Sequence, residues 1–85
     1  MSKYQQKIIK EFESKGWKVE KVVKLGRDGY PDLIMWKDGQ TQWIECKEET
    51  DTLKPLQKFR IDELNKEGIK AFAMQDKKGL IYGNS

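Results

Sequence analysis

Apolar side chains recur every three or four residues near the start of the chain. Tyr4, Ile8 and Phe12 fall on one side of a helix drawn over residues 2–15. Gly16 follows them, and glycine is common directly after a helix C-terminus. The spacing therefore predicts a first helix that ends at Gly16.

Three β-rich segments follow this helix. The first covers residues 17–23 and the second covers residues 32–36. Asp38-Gly39 is a dipeptide typical of tight hairpin turns, and it leads into a third apolar segment over residues 41–48. The pattern predicts that the second and third strands form a β-hairpin.

The second half of the chain again has a helix followed by strands. A polar connection over residues 49–54 precedes a helix over 55–67, which ends before Gly68. Residues 69–74 are predicted as a fourth strand, and residues 80–82 as a short edge strand. The order αβββαβ, with one possible further strand, predicts an α/β fold in which helices flank a mixed central sheet.

Length and composition limit the class of protein. A chain of 85 residues fits one domain over residues 1–85. No stretch approaches the ~20 apolar residues of a membrane span, and the N-terminal residues lack the apolar region of a secretion signal. We therefore expect a cytoplasmic protein with no membrane partner.

Charge and missing residue types narrow the chemistry. The net charge is +3, which favours a polyanionic partner. The chain has no histidine and one cysteine, which excludes Ser-His-Asp and Cys-His catalysis, histidine-bound zinc and an internal disulfide. Any bound metal is therefore expected to be a hard cation held by oxygen ligands.

Glu45 and Lys47 are two residues apart on the third predicted strand. Their side chains therefore share one face, ~6.5–7 Å apart along the strand, while Cys46 points to the other face. If the hairpin turns at Asp38-Gly39, paired positions have numbers that sum to 77, which places Asp32 opposite Glu45. A bulge or a three-residue turn would move Asp32 to the other face.

Two opposed carboxylates repel each other unless a cation lies between them. Asp32 and Glu45 therefore predict a site for Mg²⁺ or Mn²⁺. Lys47 beside that cation would orient a water molecule or stabilise charge on a phosphate oxygen. Taken singly, an acidic residue in a strand is most often part of a solvated surface, so the prediction depends on the joint pattern.

Three segments resemble the PD-(D/E)xK nuclease superfamily, and within it the small stand-alone VRR-NUC domains, many of which phages encode. The segments are Gly29-Tyr30-Pro31-Asp32-Leu33-Ile34, Trp43-Ile44-Glu45-Cys46-Lys47 and Leu53-Lys54-Pro55-Leu56-Gln57. The resemblance spans nearly the whole chain. It implies a restriction-endonuclease-like core. It also implies that the protein acts in a bacterial cell or a phage-infected host.

The same resemblance implies roles for individual residues. Asp32 and Glu45 would bind Mg²⁺ or Mn²⁺ together with the backbone carbonyl of Cys46, and Lys47 would be the catalytic lysine. Gln57 matches a glutamine that lies near the site in the family, although an ordinary polar residue of a helix N-terminus is an equal alternative. The stand-alone members resemble Holliday junction resolvases and act as two-fold homodimers.

One family feature is missing from the chain. The family often has a glutamate early in its first helix, and residues 1–3 contain no acid. Gln5 or Gln6 is the candidate replacement.

Further residues are candidates for DNA contacts or for packing. The candidates for phosphate contacts are Lys24, Gly26, Arg27, Gly29, Lys54, Lys58 and Arg60. The alternative is a set of solvated charges on a loop and on the outer side of a helix. Trp36 and Trp43 share the predicted face of Asp32, and packing under the first helix is favoured over a dimer surface.

Together these observations predict a metal-dependent, structure-selective DNA endonuclease. Its expected substrate is a four-way DNA junction, which it would cut as a homodimer. The alternatives are a non-catalytic nucleic-acid-binding module and a nuclease for flap or duplex DNA.

Overall fold

The computed structural model describes residues 2–84, so Met1 and Ser85, the two ends of the predicted domain, lie outside the described residues. Two helices and five strands make up the fold of residues 2–84. The helices are α1 (Lys3–Ser14) and α2 (Pro55–Lys66), and the strands are β1 (Lys18–Lys21), β2 (Leu33–Lys37), β3 (Gln40–Lys47), β4 (Lys70–Gln75) and β5 (Gly79–Gly83). The predicted α/β order is confirmed, and the short edge strand is present as β5.

The strands form one mixed sheet in the order β1-β2-β3-β4-β5. β3 and β4 are parallel, and the other neighbours are antiparallel. A parallel neighbour needs a crossover connection, and α2 supplies it between β3 and β4. The strand that carries Glu45 and Lys47 is therefore central, with a bonded neighbour on each side.

Each face of the sheet has its own core. The α1 side holds Tyr4, Ile8, Val19, Leu33, Met35, Ile44 and Phe72, and the α2 side holds Leu53, Ile61, Leu64, Ala71 and Ala73. Because side chains alternate along a strand, Ile44 and Cys46 face α1. Glu45 and Lys47 therefore lie on the α2 side, where they are buried.

Two sequence expectations were wrong in detail. β1 ends at Lys21, and Val23 is 92% exposed, because β2 begins only at Leu33 and gives Val23 no partner strand. Trp43 packs in the α2-side cluster and Trp36 is exposed, so neither lies under α1. Strand alternation places both on the face opposite the first helix.

Among residues 2–84, neither helix combines the length and apolar character that crossing a bilayer demands.

Candidate active site

The register of the β2–β3 hairpin is the one that the sequence predicts. Leu33 pairs with Ile44, and Lys37 pairs with Gln40. Asp32 immediately precedes β2, so it lies at the position facing Glu45. Its Oδ2 accepts a hydrogen bond from the backbone nitrogen of Cys46 at 3.2 Å. The Asp32 carboxylate therefore continues the hairpin where backbone pairing stops.

Glu45 and Lys47 form a buried pair on the same face. They are 3% and 5% exposed, and Lys47 Nζ lies 3.6 Å from Glu45 Oε2. Burial raises the pKa of Glu45 to about 8, and the negative charge of Asp32 adds to the rise, whereas the Lys47 ammonium opposes it. In the absence of a bound metal ion, Glu45 is therefore held largely in its protonated form at neutral pH.

The remaining oxygen of Glu45 points to a missing partner. Among the side chains of residues 2–84, Glu45 Oε1 is the buried polar atom that lacks a hydrogen bond. A buried acceptor without a partner is costly, and so is a second carboxylate beside it. A hard divalent cation would satisfy both groups, so the donor set fits Mg²⁺ or Mn²⁺.

The protein's share of such a site is small. Within residues 2–84, no group of three or more histidine, cysteine, aspartate or glutamate side chains is arranged to hold a metal. Asp32 and Glu45 would therefore be the two side-chain ligands, and the Cys46 carbonyl stays a prediction. The Cys46 thiol is unsuited to the role because burial raises its pKa well above the usual range.

Two glutamines each donate to one of the carboxylates. Gln57 Nε2 lies 3.3 Å from Glu45 Oε2, while its Oε1 accepts from the backbone nitrogen of Lys54 at 2.9 Å. Gln5 Nε2, from α1, lies 3.4 Å from Asp32 Oδ2. The structure thus brings Gln5 to the site, whereas Gln6 is exposed.

The candidate DNA contacts fall in two places. Lys24, Gly26 and Arg27 are exposed in the loop between β1 and β2, and Gly29 of that loop packs against α2. Lys54 is exposed at the start of α2. Lys58 is exposed one turn later, with Nζ 5.8 Å from the centre of the Tyr82 ring. Arg60, by contrast, is buried, and its Nε donates to the backbone oxygen of Asp28 at 2.9 Å. The roles of the exposed residues in binding stay predictions.

Two residues near Lys47 were missed by the sequence analysis. Asp51 Oδ2 lies 3.7 Å from Lys47 Nζ. Gln75 is buried beside Lys47, and its Nε2 donates at 2.9, 3.2 and 2.6 Å to the backbone oxygens of Glu48, Glu49 and Asp51. The sequence did contain a signal for Gln75. It follows Ala71 and Ala73 at two-residue spacing on β4, so its side chain is expected to face the same core as theirs.

The residues of this site lie within a segment that matches a known protein family. The model of the VRR-NUC domain matches residues 18–77, which include Asp32, Glu45, Lys47 and Gln57. A search of curated proteins found no relative.

Two solved structures have the same fold. A VRR-NUC domain structure is 29% identical with a TM-score of 0.73, and the alignment covers 82% of this chain and 77% of that one. Hjc of Archaeoglobus fulgidus, described as a Holliday junction resolvase, is 15% identical with a TM-score of 0.65 over 85% of this chain. This chain spans 64% of the length of Hjc, and at that identity the likeness shows the fold alone. With the family model matched over most of its length, the chain belongs to the VRR-NUC domain family of PD-(D/E)xK nuclease-like proteins.

Proposed function

We propose that this protein is a DNA endonuclease that depends on Mg²⁺ or Mn²⁺ and cuts four-way junctions as a homodimer. Family membership and fold support a nuclease. The observation that carries the proposal is the buried site at the end of the β2–β3 hairpin. There Asp32 and Glu45 face each other, Glu45 Oε1 lacks a partner, and Lys47 lies alongside.

Asp32 and Glu45 would hold the cation, with the Cys46 carbonyl as a third ligand. Such a cation, when bound, activates water and neutralises charge on a phosphodiester. Lys47 contributes a fixed positive charge, because its ammonium is held between Glu45 and Asp51 at 3.6 and 3.7 Å. Its task is to stabilise the negative charge that develops on the phosphate oxygens, where a preorganised cation has its largest effect.

Gln57 and Gln5 orient the two carboxylates. Each donates one amide hydrogen bond, and neither adds a negative charge. A carboxylate that already accepts a hydrogen bond loses rotational freedom, so its other oxygen is directed toward the cation. This arrangement performs part of the task assigned to the glutamate that the first helix lacks.

The fold supports a branched substrate, and the charge of one loop supports contacts with its phosphates. Hjc, which has a similar fold, is described as a Holliday junction resolvase. The exposed Lys24 and Arg27 lie in the loop that leads into β2 and Asp32, where they would contact phosphates on either side of a cut.

A homodimer is supported by a sheet face that is left uncovered. α2 packs on β4 and β5, and the same face of β1 and β2 has no helix above it within residues 2–84. Trp36 lies on this face and is 43% exposed. A second copy placed there by a two-fold axis would bury the indole and present two sites to a symmetric junction.

The direct test is cleavage of labelled DNA. Four-way junction, flap and duplex substrates of matched sequence are incubated with Mg²⁺, Mn²⁺, Ca²⁺ or chelator. The proteins compared are the wild type, the site variants Asp32→Asn and Glu45→Gln, and the exposed control Glu13→Gln. We expect junction cutting by the wild type and Glu13→Gln with Mg²⁺ or Mn²⁺ only. Binding without cutting under every condition would instead identify a non-catalytic binding module. Equal cutting of flap or duplex DNA would refute junction selectivity.

A further inference from the structure

Arg60 is a buried charge on α2, three residues after Gln57. Its Nε donates to the backbone oxygen of Asp28 at 2.9 Å, and its guanidinium carbon lies 4.9 Å from the centre of the Tyr30 ring. The Tyr30 hydroxyl donates to Glu63 Oε1 at 2.8 Å, and Glu63 Oε2 lies 3.6 Å from Arg60 Nη1. These four residues, the α2 latch, tie the loop before β2 to the helix.

The loop backbone is in close contact with the helix at this point. Gly29 has a φ of +91°, and a Cβ there would lie 2.7 Å from Leu56 Cγ and 3.2 Å from Arg60 Cγ. Pro31, two residues later, is fully buried. The chain that leads into Asp32 is therefore clamped on the helix side, with no space for a side chain at Gly29.

We infer that Arg60 is a positioning residue for the candidate active site, acting through this segment on the Asp32 carboxylate. α2 already carries Gln57, which donates to Glu45. With the latch, the same helix sets the placement of both carboxylates, one by a direct hydrogen bond and the other through the backbone of residues 28–31. The inference rests on the proposed nuclease function, since it concerns the ligands of that site.

The first test needs no cation. The Cys46 amide donates to Asp32 Oδ2 at 3.2 Å, so its hydrogen exchange reports where that carboxylate lies. Arg60→Met retains an unbranched aliphatic stem and removes the hydrogen-bond donors of the guanidinium group. In chelator, we expect the Cys46 amide to exchange about tenfold faster in Arg60→Met, as for loss of one hydrogen bond, with other β3 amides unchanged. Lys66→Met, an exposed lysine at the end of the same helix, should behave as wild type.

The second test separates placement from chemistry. Junction cleavage is measured across a Mn²⁺ titration. We expect Arg60→Met to need on the order of 10–100-fold more Mn²⁺ for half-maximal rate, as when an outer contact of a metal ligand is lost. The rate at saturating Mn²⁺ should stay close to that of the wild type. A lower plateau at an unchanged Mn²⁺ requirement would refute the positioning role.

Tyr30→Phe keeps the test decisive if Arg60→Met does not fold. It removes a single hydroxyl that reaches Arg60 only through Glu63, so we expect shifts in the same direction but smaller, of roughly two- to fivefold. A folded variant with wild-type Cys46 exchange and Mn²⁺ dependence would overturn the inference while leaving the nuclease proposal intact. A wild type that neither binds Mn²⁺ nor cuts DNA would overturn the nuclease proposal. The exchange result would then still decide whether Arg60 places Asp32.

Discussion

Replacing Glu45 with glutamine tests the electrostatics of the site without any substrate. Glu45 is 3% exposed, and burial, followed by the charge of Asp32, raises the pKa of its carboxyl from 4.5 to about 8. The folded protein therefore keeps a proton that the unfolded chain has already lost between these two pH values. Where the unfolded state binds fewer protons, stability falls as pH rises, and the loss is complete above about pH 8.

The expected size of this loss follows from the pKa. At roughly 1.4 kcal/mol per pKa unit, a rise from 4.5 to about 8 corresponds to on the order of 5 kcal/mol of folding stability. That is a large share of the ~5–15 kcal/mol that stabilises a typical domain. Glutamine cannot ionise, so Glu45→Gln should become more stable relative to the wild type as pH rises from 5 to 9.

The assay is urea unfolding followed by tryptophan fluorescence, in chelator, at steps between pH 5 and 9. Other groups titrate in the same range, so the measured quantity is the difference between Glu45→Gln and the wild type, with Glu13→Gln as the exposed control. Adding Mn²⁺ at pH 8, at one hundred times its dissociation constant, should raise the free energy of unfolding of the wild type by ~2.7 kcal/mol. The same addition should raise that of Glu45→Gln far less. If the two stability curves run parallel across this range, the burial argument is wrong.

Three further predictions concern turnover, binding and assembly. Lys47→Met should lower single-turnover cleavage by on the order of 10²–10³-fold and leave junction affinity in Ca²⁺ nearly unchanged; a loss of affinity at normal rate would make Lys47 a phosphate anchor instead. Lys24→Ala and Arg27→Ala should each weaken junction binding and reduce its salt slope by about one, as measured by titration at several salt concentrations; an unchanged slope would remove them from the interface. Trp36→Glu should convert the expected dimer into a monomer by light scattering at micromolar concentration, and a wild type that is already monomeric while cutting junctions would refute the preformed dimer.

The central part of the site was predictable because it depends on local rules. A two-residue turn at Asp38-Gly39 fixes the hairpin register, and strand alternation then assigns the faces. These two rules place Asp32 opposite Glu45 and put Lys47 on the same face. The helices and strands followed from apolar spacing for the same reason, since each pattern is contained within about a dozen residues.

The contacts that surround the site were not predictable in this way. Gln75 and Arg60 contact partners 24 or more residues away. Asp51 is only four residues from Lys47, but it lies in a connection whose path has no periodicity. The end of β1 was also missed, because an apolar pair such as Val22-Val23 favours a strand, but a strand needs a neighbour to bond. Long sequence separation and irregular connections therefore set the limit of the prediction.

The hairpin also separates two events in the folding of this chain. Asp32 and Glu45 are brought together by a local turn, which can form in microseconds. The parallel pairing of β3 with β4 requires the chain through α2 to close first, and such non-local contacts form more slowly. We therefore expect the carboxylates to meet while water still surrounds them, and to be desolvated only when α2 and β4 dock. The proximity of these acids belongs to the hairpin, whereas the unusual proton affinity of Glu45 belongs to the completed fold.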